Sequence, residues 1–140
     1  MEIKKFKPLI DKLYFIILIP TILLLGAATV ISTFEPVALF ITIPVDLTVI
    51  YFIISPLFGY AELRENSVYI KYGFILKKEI PYNKIRGVVK ERKFYSESMM
   101  SLKNSFEHVN IKYNAFDVTT VSVVNNDDFI GELNERIKTN

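Results

Sequence analysis

Two apolar runs open the chain, residues 13–32 and 36–58, with only Thr33, Phe34 and Glu35 between them. The first reads LYFIILIPTILLLGAATVIS without a charge, and the second carries a single one, Asp46. A helix rises about 1.5 Å per residue and a bilayer core is about 30 Å thick, so each run is long enough to cross once. The short link permits only a tight turn, and the spacing predicts a helical hairpin over residues 13–58. A pair of buried core helices is the competing reading, but so short a chain has nothing else to cover both. A cleaved signal peptide also competes, because residues 4–7 form a basic start and Gly26-Ala27-Ala28 resembles a cleavage site. Against it, the apolar run is too long for a signal core and a second run follows at once.

From Tyr60 the pattern changes from continuous to alternating. Val68, Ile70 and Tyr72 alternate with Tyr69 and Lys71, which describes a strand with one buried face. Glu65-Asn66-Ser67 is turn-rich, so residues 60–64 form the first arm of a hairpin. Gly73 turns the chain into residues 75–80, and Pro81-Tyr82-Asn83 interrupts. Ile85, Gly87 and Val89 then resume the alternation against Arg86, Val88 and Lys90. Residues 94–106 are irregular. Val109, Ile111 and Tyr113 mark a further strand, Asn114-Ala115-Phe116-Asp117 a turn, and residues 118–124 are rich in β-branched side chains. The ending switches to helical spacing, with Phe129, Ile130, Leu133 and Ile137 on one stripe. Asn125 or Asn126 suits the N-cap, Asp127 and Asp128 the positive end of the dipole, and Arg136 and Lys138 the negative end. The fold class expected is a membrane α-hairpin plus an α+β domain of about six antiparallel strands closed by a C-terminal helix. The expected divisions are a basic N-terminus at 1–12, the hairpin at 13–58 and the domain at 59–140.

Composition sharpens this. Charged residues make up 23% of the chain, an ordinary average, yet residues 13–60 hold only Glu35 and Asp46 among them. That distribution excludes an ordinary soluble enzyme, a disordered chain and a collagen-like repeat. Lys4, Lys5, Lys7 and Lys12 precede the first run, Arg64, Lys71, Lys77 and Lys78 follow the second, and the link has no basic residue. The positive-inside rule therefore predicts a multi-pass cell-membrane protein with both termini cytoplasmic. Cysteine is absent, which removes disulfides, thiol nucleophiles and thiolate metal sites. A net charge of +2 gives no reason to expect nucleic acid.

Two features are candidates for chemistry. Asp46 is the eleventh residue of the second run, near the expected midplane, where a carboxylate costs about 2.5–3.5 kcal/mol on insertion scales. Its expected partners are a hydroxyl such as Thr21, a second copy's Asp46, or the carboxyl's own proton. A proton-relay or ion-site role and a hydrogen-bonded packing role both fit an intramembrane acid. Pro20 and Pro44 are expected to kink the helices or free a carbonyl. Gly26, Ala27 and Ala28 permit close helix approach, within the pair or between copies. The second feature is basic: Lys71, Lys77, Lys78, Lys84, Arg86, Lys90, Arg92 and Lys93 fall within 23 residues against Glu79 and Glu91 only. Each basic residue beside an anionic leaflet contributes about 1 kcal/mol, so this face could grip lipid headgroups or a protein partner. The competing reading is a solvated strand face with charge placed for topology. His108 alternates with Val109 and is expected off the buried face, solvated or surface-paired. The abundant Tyr and Phe read as core, and Met99-Met100 as an exposed contact or a core plug. No nucleophile–base pair, phosphate loop, metal set or cofactor motif is present, so no enzyme is expected.

The order of motifs in the polar half resembles the bacterial pleckstrin-homology-like (PH-like) domains of the YyaB-like type. Val68-Tyr69-Ile70-Lys71-Tyr72-Gly73 matches their glycine-ended strand, and Lys77-Lys78-Glu79-Ile80-Pro81-Tyr82-Asn83-Lys84-Ile85 their basic strand with an I-P-x-x-x-I step. Ile111-Lys112-Tyr113 and Phe129-Ile130-Gly131-Glu132-Leu133 stand where the later strand and closing helix fall. The resemblance covers about residues 60–137. Members often carry an A-L-S-L-type turn and an Asp-Arg pair, where this chain has Ser98-Met99-Met100-Ser101-Leu102 and Glu107-His108. The resemblance implies a PH-like fold, a non-enzymatic binding or scaffold role, and partners among anionic lipids, proteins or copies of the chain. It also implies an alternative seen in related proteins, bacteriocin self-immunity or transporter regulation through the hairpin.

Overall fold

The computed structural model describes residues 2–98 and 100–140. Met99 lies outside the described residues, and Met100 packs partly buried against the core. Helix α1 (Lys12–Ser32) and helix α2 (Pro36–Ile54) form the hairpin, and α2 continues into a 3₁₀ turn, Ser55–Phe58. The Asp11 carboxylate caps α1 by accepting from Leu13 N–H, and Pro36 opens α2, where a missing N–H is harmless. Both helices run through their internal prolines.

One seam joins the helices. Ser32 and Thr42 share a hydroxyl hydrogen bond of 2.7 Å, Thr29 donates to Asp46, and the Tyr14 hydroxyl reaches the Ile53 carbonyl at 3.4 Å. Thr21 is not the partner of Asp46; its hydroxyl turns back to the Ile17 carbonyl. The reason is register: α2 starts beyond the link, so Thr42 faces Ser32 and Asp46 falls one turn further on, opposite Thr29. Gly26, Ala27 and Ala28 face outward and take no part in the seam. Only 6% and 0% of the two apolar windows are buried within the protein, so these are not core helices. Both are long and apolar enough to cross a membrane.

Among the described residues the domain contains eight strands in two four-stranded sheets. Strands β1 (Lys4–Phe6), β2 (Tyr60–Leu63), β3 (Ser67–Lys71) and β4 (Lys77–Pro81) form the first, in that order. Strands β5 (Ile85–Arg92), β6 (Ser101–Leu102), β7 (Glu107–Tyr113) and β8 (Asp117–Val121) form the second, ordered β5-β7-β8-β6. Pairing is antiparallel except between the short β6 and β8. β1 is an edge strand from the N-terminal segment, with Lys4 opposite Leu63 and Phe6 opposite Ala61. The same segment then bridges to the second sheet through Pro8–Val123 and Ile10–Asn104. Residues on both sides of the hairpin therefore build one domain.

The core lies between the sheets. Ala61, Leu63, Val68, Ile70 and Ile80 meet Val109, Ile111, Val121 and Val123, all at most 1% exposed. Helix α3 (Asn126–Thr139) closes the open end with Phe129 and Leu133, and Phe6 packs edge-on against Phe129. Asn125 caps α3 by accepting from Asp128 N–H. Arg136 is more than a dipole partner: its buried guanidinium donates to the carbonyls of Leu63 (3.2 Å), Arg64 (3.0 Å) and Glu2 (2.5 Å). Tyr82 OH joins at Arg64 O, 2.6 Å away.

Three expectations are corrected here. The face of β5 changes after Ile85, because a bulge between Ile85 and Gly87 adds one residue. Val88 consequently packs against the core and Val89 is 40% exposed. His108 does point off the core face, yet it is 0% exposed, because the outer side of the second sheet is itself covered there, with Ser96 reaching Thr120 (3.0 Å) and Ser105 reaching Ser122. Its Nδ1–H donates to the Phe106 carbonyl (3.1 Å), and Nε2 lies 3.7 Å from Glu91. Glu91 also accepts from Asn110 (3.0 Å) and pairs with Lys93 (3.3 Å). Finally, Phe58, Phe74, Phe94, Tyr95 and Phe116 are exposed aromatics rather than core.

Candidate membrane-facing site

The hairpin is fixed to the domain at both of its ends. On the α1 side, the Asp11 carboxylate accepts from Leu13 N–H (2.8 Å) and from Phe106 N–H of the domain (3.2 Å). On the α2 side, the Ser55 hydroxyl accepts from Phe74 N–H (2.9 Å), and the Phe74 ring stacks on Phe58 at 4.9 Å and lies 5.5 Å from Tyr51. Glycine is required twice in this junction. A Cβ on Gly73 would stand 2.0 Å from Ser55 Oγ, and one on Gly59 would stand 2.5 Å from the Lys71 carbonyl. The β3–β4 loop therefore lies against the last turns of α2.

Immediately behind that loop is a row of the first sheet, with Tyr60 opposite Lys71 and Lys71 opposite Lys77. All three side chains stand on the outer face. Lys5, delivered by β1, completes the group with Nζ 3.8 Å over the Tyr60 ring, and Lys71 Nζ lies 5.9 Å from the same ring. Like charges directly opposite on neighbouring strands are destabilising, so the Lys71–Lys77 pair is an arrangement that an anion would relieve. One row further out the face turns to mixed charge. Arg64 pairs with Glu62 (2.8 Å) and Glu79 (3.4 Å), and a donating Ser67 hydroxyl, helped by Arg64, holds the Glu79 carboxyl below its usual range.

The other basic residues are dispersed. Lys78 is on the inner face opposite Ile70 and runs out at the sheet edge, 5.0 Å from the Tyr113 ring. Lys84, just before β5, and Arg86, near its start, are exposed, eight and six residues from Arg92 at the strand's other end. Lys90 pairs with Asp127 (2.9 Å), and Lys93 with Glu97 (3.1 Å) and Glu91 (3.3 Å). These carboxylates raise both ammonium pKa values. The fold thus brings Lys71 and Lys77 together, adds Lys5, and spreads the rest over other surfaces. Lys5 was not among the residues singled out from sequence; only the pairing of β1 with β2 brings it here. Asp46 sits in the hairpin seam, remote from this row, with Thr29 as its partner.

Two four-stranded sheets closed by a C-terminal helix define a PH-like domain. The family model described as bacterial PH domain matches residues 60–137, and the chain belongs to that family. Comparison with curated proteins and with solved structures finds no match. PH domains are in general binding modules rather than catalysts, and this one follows two helices able to cross a membrane.

Proposed function

We propose that this protein is a non-catalytic binding module tethered at the cytoplasmic face of a bacterial cell membrane. In this reading the hairpin crosses the bilayer twice, both termini are cytoplasmic, and the domain engages an anionic lipid or an acidic protein surface. The observation that carries it is the Lys5–Lys71–Lys77 group around Tyr60, beside the end of α2, in a domain fixed to both hairpin ends. Of the eight basic residues singled out from sequence, Lys71 and Lys77 are the two this reading assigns to binding. Lys78, Lys84, Arg86, Lys90, Arg92 and Lys93 serve solubility, topology and internal pairing.

The chain has no cysteine, so single cysteines report topology cleanly. Phe34→Cys in the link and Phe116→Cys in the far turn, 82% and 93% exposed, are suitable sites. An impermeant maleimide is expected to label Phe34→Cys in intact cells and Phe116→Cys only after permeabilisation. Labelling of Phe116→Cys in intact cells overturns the orientation.

A second reading is favoured by the polar contact between Thr29 and Asp46: the hairpin itself is the working part, in self-immunity or transporter regulation. It requires that Asp46→Asn or Asp46→Leu abolish protection against a membrane-active peptide, or transporter control, in expressing cells. Unchanged behaviour removes it.

A further inference from the structure

We propose that the β3–β4 loop is a wedge that enters the interfacial layer of the bilayer crossed by the hairpin, with Lys71 and Lys77 taking the phosphate of an anionic lipid headgroup behind it. This rests on the membrane-tethered reading above and adds to it where the domain touches lipid.

The loop's composition is unlike that of a solvated turn. Phe74, Ile75 and Leu76 are consecutive apolar residues, 43%, 74% and 59% exposed. Nothing in the domain covers them, and Phe58 beside them is also exposed. A run of exposed apolar residues on a soluble loop is a liability; at a membrane surface the same residues are stabilised by partition. Position decides between these. The Phe74 ring packs on Phe58 and beside Tyr51, two turns inside the end of the apolar stretch Pro36–Phe58. Ser55 holds the loop backbone there, and the close fit of Gly73 against Ser55 leaves no room for another placement. Where α2 enters lipid, this loop enters with it, and the exposed apolar surface of the hairpin continues onto the loop without a polar break.

The lysines sit at the matching height. Lys71 precedes the loop and Lys77 follows it, opposite one another on the same face. No carboxylate pairs with either among the described residues. A wedge at acyl-chain level with ammonium groups one strand step above it has the vertical order of a lipid, apolar tail below and phosphate above. Lys5 over Tyr60 adds a third positive group at that level.

The chain contains no tryptophan, so a single one reports depth. Three full-length variants are reconstituted into phosphatidylcholine–phosphatidylglycerol vesicles carrying acyl-chain bromine: Ile75→Trp in the loop, Leu23→Trp on the outward side of α1, and Phe116→Trp in the far turn. The expected result is strong quenching and blue-shifted emission for Leu23→Trp and Ile75→Trp, and neither for Phe116→Trp. Quenching of Leu23→Trp alone overturns the wedge while leaving the tethered reading intact; no quenching of any of them overturns both. For the headgroup, bromine is placed on either lipid in turn at equal mole fraction. Ile75→Trp is expected to be quenched more by brominated phosphatidylglycerol, with an enrichment that falls about fivefold for each of Lys71→Gln and Lys77→Gln. Equal quenching by both lipids overturns the headgroup assignment.

Discussion

The Thr29 hydroxyl donates to the Asp46 carboxylate across the hairpin at 2.5 Å, while also lying 2.8 Å from the Leu25 carbonyl of its own helix. One step along the seam, Ser32 and Thr42 repeat the arrangement hydroxyl to hydroxyl. Hydroxyls and one acid thus supply the polar contacts between helices whose other faces are apolar. In lipid, where apolar side chains gain little from meeting one another, such contacts align a pair of helices.

A double-mutant cycle on this pair is expected to show coupling. Thr29→Val and Asp46→Leu, singly and together, should give an interaction energy of about 0.6 to 1.7 kcal/mol in favour of the hairpin. Unfolding in mixed micelles measures it. Asp46→Asn keeps an acceptor for Thr29 and should retain most of the stability.

Arg136 ties α3 to the β2 end and to the N-terminal segment through three carbonyls. Arg136→Met leaves those acceptors without their charged donor in a buried setting, and is expected to lower stability by about 3 kcal/mol in chemical denaturation. Arg136→Lys should recover little, since an ammonium cannot reproduce the fork that reaches Leu63, Arg64 and Glu2 together.

His108 provides a contrast with an exposed residue. Its ring is buried on the covered outer side of the second sheet and bonded to the Phe106 carbonyl. His108→Ala is expected to cost about 2 kcal/mol, whereas Phe116→Ala, at the solvated turn, should stay within about 0.5 kcal/mol. Equal effects in urea titrations would contradict the burial.

Gly73→Ala places a methyl carbon where Ser55 Oγ stands, so the loop must leave α2 or the turn must distort. A loss of about 1–3 kcal/mol is expected, together with faster proteolytic cleavage in residues 73–76. Adding Ser55→Gly removes the clash but not the lost Phe74 hydrogen bond, and should restore the stability only in part.

Alkaline pH should destabilise the domain through its buried phenols. Burial pushes the Tyr72 hydroxyl up to about 12, against the opposing effect of its hydrogen bond to Thr119, and burial raises Tyr82 as well. The unfolded chain ionises first, binds fewer protons than the folded one, and is favoured as pH rises above 10, the ordinary tyrosine value. Tyr72 alone accounts for about 3 kcal/mol of stability lost by the time the pH passes its folded value. Denaturation midpoints of Tyr72→Phe measured from pH 8 upward should fall less steeply than those of the parent.

The sequence by itself determined whatever depends on neighbours along the chain. Hydropathy adds up over a window, so both apolar helices and their tight link were legible. Alternation over a few residues placed the inner face of β3 at Val68 and Ile70, with Tyr72 buried just beyond it, and helical spacing placed α3 on Phe129 and Leu133. Tertiary structure decided whatever depends on residues meeting from far apart. Lys5 reaches Tyr60 only because β1 pairs with a strand more than fifty positions later. His108 is buried because the face that alternation marked as outward is itself covered, with Ser96 and Ser105 reaching it from a segment that has no period to read. A single bulged residue in β5 exchanged Val88 for Val89, since strand period is two and one extra residue reverses every side chain after it. Thr29 replaced Thr21 beside Asp46 because helix register is set by where α2 begins, a matter of three link residues rather than of hydropathy. The eight basic residues were readable as a charge run, but pairing and strand faces decided that two of them, with Lys5, form a group beside the hairpin.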